Sequence, residues 1–396
     1  MAPLIGLGLP VLLGMAALSM DVGQWLNEKR TLQTAADAAA VGAATELTNG
    51  RSDTMTTQAQ KDSSRNGVPI VTGTTLTLNS PPISGAHAGD ASAVEVIITR
   101  QEHRTFSGSL FGIDPIARAR AVALIGDAGK YCVLGLKEVN VAVLISGSTD
   151  VKLDCGIAAN ADLKMNGNKS ALSATSATIS GTVTGFSQNL DVPADATQVQ
   201  APITKDPYSD LPVPSPLPGS GSVSGSNPKT YSPGTFNSTI QVSSNTVFQP
   251  GVYVMNNASL KITAGHVTGT GVTFIFTGTS PASIGGLDIS SNGTTDITAP
   301  TSGTYKGVAF YQSANADPTA IVNKINGTSN VHITGAVYFP NQEVDFQGDN
   351  TTGGSNGGCT QVVASKVTFT GNSKLGYDCD GTGVRPINSS RVALVE

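Results

Sequence analysis

The chain changes its hydrophobic pattern three times. Residues 2–20 form an uncharged, mostly apolar run, and the first charge is Asp21. A bilayer core needs about 20 such residues as helix, so this run has the length of a membrane span. Beyond it Trp25, Leu32, Ala36, Ala39, Ala43 and Leu47 recur at three, four or seven residues, which is one face of a 3.6-residue helix. Glu28, Lys29, Arg30, Gln33 and Asp37 fall mostly off that face, and alanine, the best helix former, crowds residues 31–44. One helix over 1–48 is predicted. At about 70 Å it is longer than a membrane needs, so its second half projects into water or packs on a soluble domain.

From residue 49 to 127 the pattern is mixed. Leu76-Thr-Leu78 alternates, Val94–Thr99 is a strand block, Phe106–Phe111 reads as a short helical or turn segment, and Ile116–Ile125 alternates strictly. Arg118 and Arg120 share a face with Ile116, Val122 and Leu124 and are read as the solvated end of a strand face, with alanines lining the other side. The expectation is a small α+β unit, a sheet laid on the soluble half of the helix.

From Tyr131 onward, short apolar blocks alternate with turn residues: Val143-Leu-Ile145, Leu163-Lys-Met165, Leu260-Lys-Ile262, Val272–Phe276, Val344-Asp-Phe346 and Val367-Thr-Phe369. No fixed period emerges. The pattern fits a right-handed parallel β-helix, a solenoid of stacked coils, and composition fits a β-sandwich equally well. Very short strands and Asn at the turns favour the solenoid. A Pro/Ser/Gly-rich stretch, 191–235, reads as an excursion or linker between two solenoid parts, 128–190 and 236–396.

Three N-terminal segments carry a family resemblance: Gly8-Leu-Pro-Val-Leu-Leu-Gly-Met-Ala-Ala17, Asp21-Val-Gly-Gln-Trp25 and Lys29-Arg-Thr-Leu-Gln-Thr-Ala-Ala-Asp-Ala-Ala-Ala-Val-Gly-Ala-Ala44. They resemble the N-terminal module of the TadE/TadG-like proteins of Flp (tight-adherence) pilus assembly. The match covers roughly a tenth of the chain. The Asp206–Pro214, Gln249–Val254 and Cys359–Ser373 segments and the final Val392-Ala-Leu-Val-Glu396 resemble, more loosely, the bodies attached to such N-termini. No Asp-X-Ser-X-Ser metal motif of a von Willebrand A domain is present, so a β-rich body stands in its place. The resemblance implies a minor pilin or accessory protein, anchored in a bacterial inner membrane with its body in the periplasm, or carried on the pilus or cell surface. Other pilus subunits or assembly proteins would then meet the N-terminal helix. Asp21, Trp25 and Asp37 are the helix-assembly candidates, because a carboxylate at membrane depth or in an alanine stripe can pair with a neighbour's cation.

Composition narrows the remaining chemistry. The net charge of -5, without a basic patch, argues against nucleic acid. The four cysteines lack a Cys-X-X-Cys spacing and fall into two close couples. Two disulfides, Cys132–Cys155 and Cys359–Cys379, each stapling neighbouring coils at either end of the solenoid, are the economical reading, with four buried thiols as the alternative. Disulfides and a low-charge body place everything after Met20 outside the cytoplasm, against the pull of Lys29 and Arg30 toward a cytoplasmic assignment. The apolar run continues into helix rather than to a cleavage site, so it reads as an anchor rather than a cleaved leader. His87, His103, His266 and His332 are single and make no metal spacing, and the glycine-rich Gly219–Ser222 and Thr352–Ser355 pieces lack a phosphate-loop lysine. No catalytic residue, metal or cofactor is expected. The enzymatic alternative is a membrane-tethered β-helix that binds or degrades polysaccharide, with Glu343 and Asp345 on one strand face and Asp349 at the turn.

Overall fold

The computed structural model describes residues 2–48, 51–101, 116–127, 130–320, 322–327, 331–348, 350–351 and 358–396. The expected Phe106–Phe111 segment, His103, Asp349 and Thr352–Ser355 lie outside the described residues. Two compact units divide the chain: residues 1–126 with 390–396, and residues 127–389. The fold is mainly β with one long N-terminal helix and a second short one.

In the first unit, helix α1 (Ala2–Thr48) runs unbroken and α2 (Met55–Arg65) follows it. The sheet is ordered β1 (Thr74–Asn79), β2 (Ala93–Gln101), β3 (Ile116–Asp127) and the C-terminal strand Ser390–Leu394. β1, β2 and β3 pair antiparallel. Just past the C-terminal strand, Val395 donates to the Val122 carbonyl at 2.9 Å while Val122 donates to that of Glu396 at 2.8 Å. The strict alternation of β3 buries Ala117, Ala119, Ala121 and Ala123 in one core with Leu32, Ala35, Ala36, Ala39, Ala40, Ala43 and Ala44 of α1, and Val94, Val96 and Ile98 of β2 stand beside those β3 alanines in the same core. Small side chains on both surfaces let helix and sheet approach closely.

The opposite face of that sheet is not simply solvated. Glu95, whose side chain is fully buried, takes the Arg120 guanidinium at 2.6 Å. It also accepts from Asn79 Nδ2 at 2.7 Å, the Ser84 hydroxyl at 3.1 Å and the Ile83 N–H at 3.3 Å. Arg120 additionally bonds Glu396 and the Ser84 carbonyl. Arg120 therefore corrects the sequence reading, because a buried carboxylate requires a cation. Arg118 is exposed as expected.

The second unit is built from short strands in parallel register. In one ladder Ile240, Leu260 and Leu287 stand side by side, followed by Val242, Ile262 and Ile289. Each inward hydrophobe therefore stacks on another, while Gln241, Lys261 and Asp288 line up outside. This in-register stacking brings Tyr253, Phe274 and Phe310 into one column, with ring centroids 5.1 and 5.5 Å apart. At the turns, Asn256 donates to Asn237 across one layer at 2.7 Å. Gly265 takes a φ of +96°, and Gly293 lies on its carbonyl so closely that a Cβ could not fit. Antiparallel pairing, the rule in a sandwich, is confined among the described residues of this unit to Ser222–Ser224 against Lys229–Ser232 and to the Cys359–Tyr377 bridge.

Spatial order departs from chain order. One ladder advances from Gly234–Phe236 through Gly251–Asn256, Val272–Thr277, Val308–Gln312, residues 335–339 and residues 360–364. Its next strand is Tyr131–Gly135, then Gly156–Ala159, Ala177–Ile179 and Thr197–Val199. The first part of the unit thus stacks on the last, at a seam where Val362, Val363 and Ala364 pair with Val133, Leu134 and Gly135. A second ladder crosses the same seam at Val367–Phe369 against Val143–Ile145, and a third at Ser373–Leu375 against Val151–Leu153.

Both disulfides form, Cys132–Cys155 with Cα atoms 5.7 Å apart and Cys359–Cys379 at 4.8 Å. They flank the seam instead of standing at the two ends of the stack. The expectation of end staples fails because chain ends and stack ends do not coincide here.

Candidate assembly interface

Helix α1 has two environments. From Leu32 to Ala44 its small apolar residues are covered by sheet and α2. Before that point Met15, Leu18, Met20, Val22, Trp25 and Leu26 all stand exposed, Trp25 by 44% and Met15 by 65%. Burying a large apolar side chain is worth about 1.5–3 kcal/mol, so six bare ones in succession constitute a surface that a partner or a lipid would cover. Trp25 was expected on the same stripe as Leu32 and Ala36; the structure starts the covered stripe at Leu32 and leaves Trp25 outside it. The change of environment comes near Glu28, which pairs with Arg100 of β2 at 3.3 Å.

The two acidic candidates differ in surroundings. Asp37 is half-buried and accepts from Gln33 Nε2 at 2.8 Å, the same nitrogen that donates to the Arg120 carbonyl at 2.9 Å. Its carboxylate is tied to its own unit. Asp21 lies half-buried within the otherwise exposed stretch 18–26. The apolar run is helical, but the side chains of residues 1–14, 16 and 17 lie outside the described residues, and among the described residues no helix is long and apolar enough to cross a membrane.

The carboxylates weighed for catalysis are engaged elsewhere. Glu343 pairs with Lys366 at 3.1 Å and accepts from Thr368. Asp345 is buried and accepts from Gln347 Nε2 at 2.6 Å and the Thr370 hydroxyl at 3.1 Å. His332 sits 2.8 Å from Asp296, His87 3.6 Å from Asp90, and His266 bonds Thr294. Among the described residues no group of three or more His, Cys, Asp or Glu could hold a metal. An open groove of about 450 Å³ runs along one ladder face between Ser259, Lys261, Asp288 and Lys324.

Sequence reasoning missed the role of the Pro-rich stretch. Residues 202–212 run as a strap down the stack. Asn160 Nδ2 donates to the Thr204 carbonyl at 2.9 Å, Tyr208 Oη to Gln361 Oε1 at 2.7 Å, Tyr311 Oη to the Leu211 carbonyl at 3.0 Å, and Tyr305 Oη to that of Pro212 at 2.9 Å. Asp206 takes the Tyr338 hydroxyl at 2.8 Å, and burial pushes its carboxyl above the usual range despite that bond and one from the Tyr208 N–H. Tyr208, Tyr338, Tyr311 and Tyr305 stand in a row with centroids 5.3, 5.6 and 6.3 Å apart. The strap covers outward apolar residues Leu134, Ile275 and Val363. A signal was present: Val272–Thr277, Val308–Gln312 and Tyr131–Gly135 are buried on both faces, and continuous hydrophobic strands imply cover on both sides.

Comparison with known proteins bears on the helix. Residues 1–46 match the family model described as Flp pilus-assembly TadE/G-like, so the N-terminus carries a domain of that kind. No curated protein matches the chain. Among solved structures, the competence-associated pilin ComZ from Thermus thermophilus is similar at 10% identity, covering 85% of this chain and 90% of that one with a TM-score of 0.26.

Proposed function

We propose that this protein is a structural or assembly component, a minor pilin or accessory protein, of a Flp-type pilus that acts in surface adhesion. The observation that carries the reading is the division of α1. A helix matching the Flp pilus-assembly family is fixed to its own unit through Leu32–Ala44 and, before that, exposes Met15, Leu18, Met20, Val22, Trp25 and Leu26. The bare half, continuing into the apolar run, would anchor the chain in the inner membrane and pack beside helices of other pilus components. In this reading the parallel ladders form a right-handed β-helix exposed in the periplasm or on the pilus, and the two disulfides suit that oxidising side. No catalysis is part of the proposal: the polysaccharide-degrading alternative needs free carboxylates, and those of Glu343 and Asp345 are held by neighbouring side chains.

The test is deletion of the gene and complementation with the native chain or with Leu18→Asp/Trp25→Asp, scoring pili by electron microscopy and the protein by membrane fractionation. The expected result is loss of piliation on deletion, restored by the native chain and not by the variant, although the variant keeps both disulfides. Normal piliation in the deletion strain would overturn the proposal.

A further inference from the structure

The seam between residues 360–375 and 131–153 is unlike other layer boundaries of the second unit. Elsewhere the chain passes from one layer to the next. At the seam the two sides come from opposite ends of the unit, and residues 200–228, which contain the strap, join the stack 131–199 to the stack 229–379. Each disulfide lies within its own stack, Cys132–Cys155 above the seam and Cys359–Cys379 below it, and neither crosses. The seam can therefore open with no covalent bond broken, while the layer on each side remains stapled and its pairing edge stays formed.

The strap is both tether and clasp. Its hydrogen bonds descend in order: Thr204 holds Asn160 above the seam, and Tyr208 holds Gln361 below it. The stack it spans is on the order of 45 Å at about 4.8 Å per strand. The roughly 30 residues between Val199 and Lys229 cover far more than that at about 3.1 Å each when extended, so the tether has slack.

We propose that the seam is an exchangeable interface whose partner is a second copy of this chain. Strands 360–375 of one copy pair with strands 131–153 of another, in the register seen within one copy, and the strap links the two halves of each chain. The complementarity of the two edges is guaranteed because each copy carries both, which makes exchange of an identical element a low-cost route to association. The contact is head to tail, so it can close as a pair or continue as a chain of copies. The proposal rests on pairing order and not on the pilus reading.

The experiment mixes two differently tagged full-length preparations in detergent, holds them in mild denaturant, returns them to buffer and measures co-purification. Three forms are compared: native, clasp-weakened Asn160→Ala/Tyr208→Phe, and Leu144→Cys/Thr368→Cys, oxidised before mixing so that a new disulfide crosses the seam. Mixed pairs are expected from the native form, several-fold more from the weakened form, and none from the locked form. Equal co-purification of the locked form would assign the association to α1 and overturn the proposal, as would the absence of mixed pairs from both other forms. If the locked chain fails to fold, the weakened-to-native ratio decides, and a ratio of one overturns it.

Discussion

Asn160 and Thr204 exchange two hydrogen bonds: the Asn160 amide donates to the Thr204 carbonyl at 2.9 Å, and the Thr204 N–H donates back to Asn160 Oδ1 at 2.8 Å. Both residues are buried. A side-chain amide here plays the part of a paired strand for one residue of a segment too rich in proline to join a ladder.

Asn160→Leu should leave the Thr204 N–H and carbonyl buried without partners. Each orphaned group costs about 1–3 kcal/mol. The expected outcome is faster proteolytic cleavage within residues 201–218 and a lower urea midpoint. Cleavage at the native rate would show that the tyrosine hydroxyls and Arg385, which donates to the Pro207 carbonyl at 2.8 Å, hold the strap without this pair.

The second prediction concerns Glu95 and Arg120. Burial pushes the Glu95 carboxyl up, but hydrogen bonds from Arg120, Asn79, the Ile83 N–H and Ser84 together outweigh it and hold the group below its ordinary value of 4.5. A carboxyl held lower in the folded than in the unfolded chain contributes stability above the ordinary value and loses it as pH falls through the folded value. Arg120→Ala should cost about 3–5 kcal/mol at neutral pH, because it strands a buried charge. The difference between native and variant should shrink below pH 4.5. Denaturation midpoints measured across pH 3–7 check both statements, and a constant gap would contradict the linkage.

The third prediction concerns the disulfides, which close loops with sequence separations of 23 and 20 residues. Chain entropy assigns about 3 kcal/mol to each such closure. Cys132→Ser/Cys155→Ser and Cys359→Ser/Cys379→Ser should each lower Tm by several degrees. Because both flank the seam, hydrogen exchange should accelerate first at residues 131–135 and 360–364. Acceleration at Thr197–Val199 or Gly234–Phe236 instead would mean that the stack frays from its ends.

Much of this was readable from local pattern. The alanines of residues 31–44 fixed a helix and its buried side, and the alternation of β3 fixed which face meets it, since side-chain periodicity follows directly from backbone geometry. The cysteine couples were readable because short loops favour local pairing. Trp25 was misplaced for an instructive reason. It obeys helical spacing, but the sheet lies against the helix only from Leu32 onward, and periodicity cannot say where a surface stops. Arg120 likewise reads as an exposed strand residue until Glu95 is seen beside it.

The sequence by itself determined the elements: one long helix with an apolar front and an alanine stripe, short strands separated by Gly and Asn turns, two cysteine couples and a proline-rich break. Those depend on interactions within a few residues. Only the tertiary structure decided that the unit's first strands lie on its last, that the proline-rich break is a strap fastened by four tyrosines, and that the disulfides flank an internal seam. The physical reason is that parallel strands of similar hydrophobic pattern can pair in many orders, and the order adopted depends on packing between residues far apart in the chain. No local periodicity records which edge meets which.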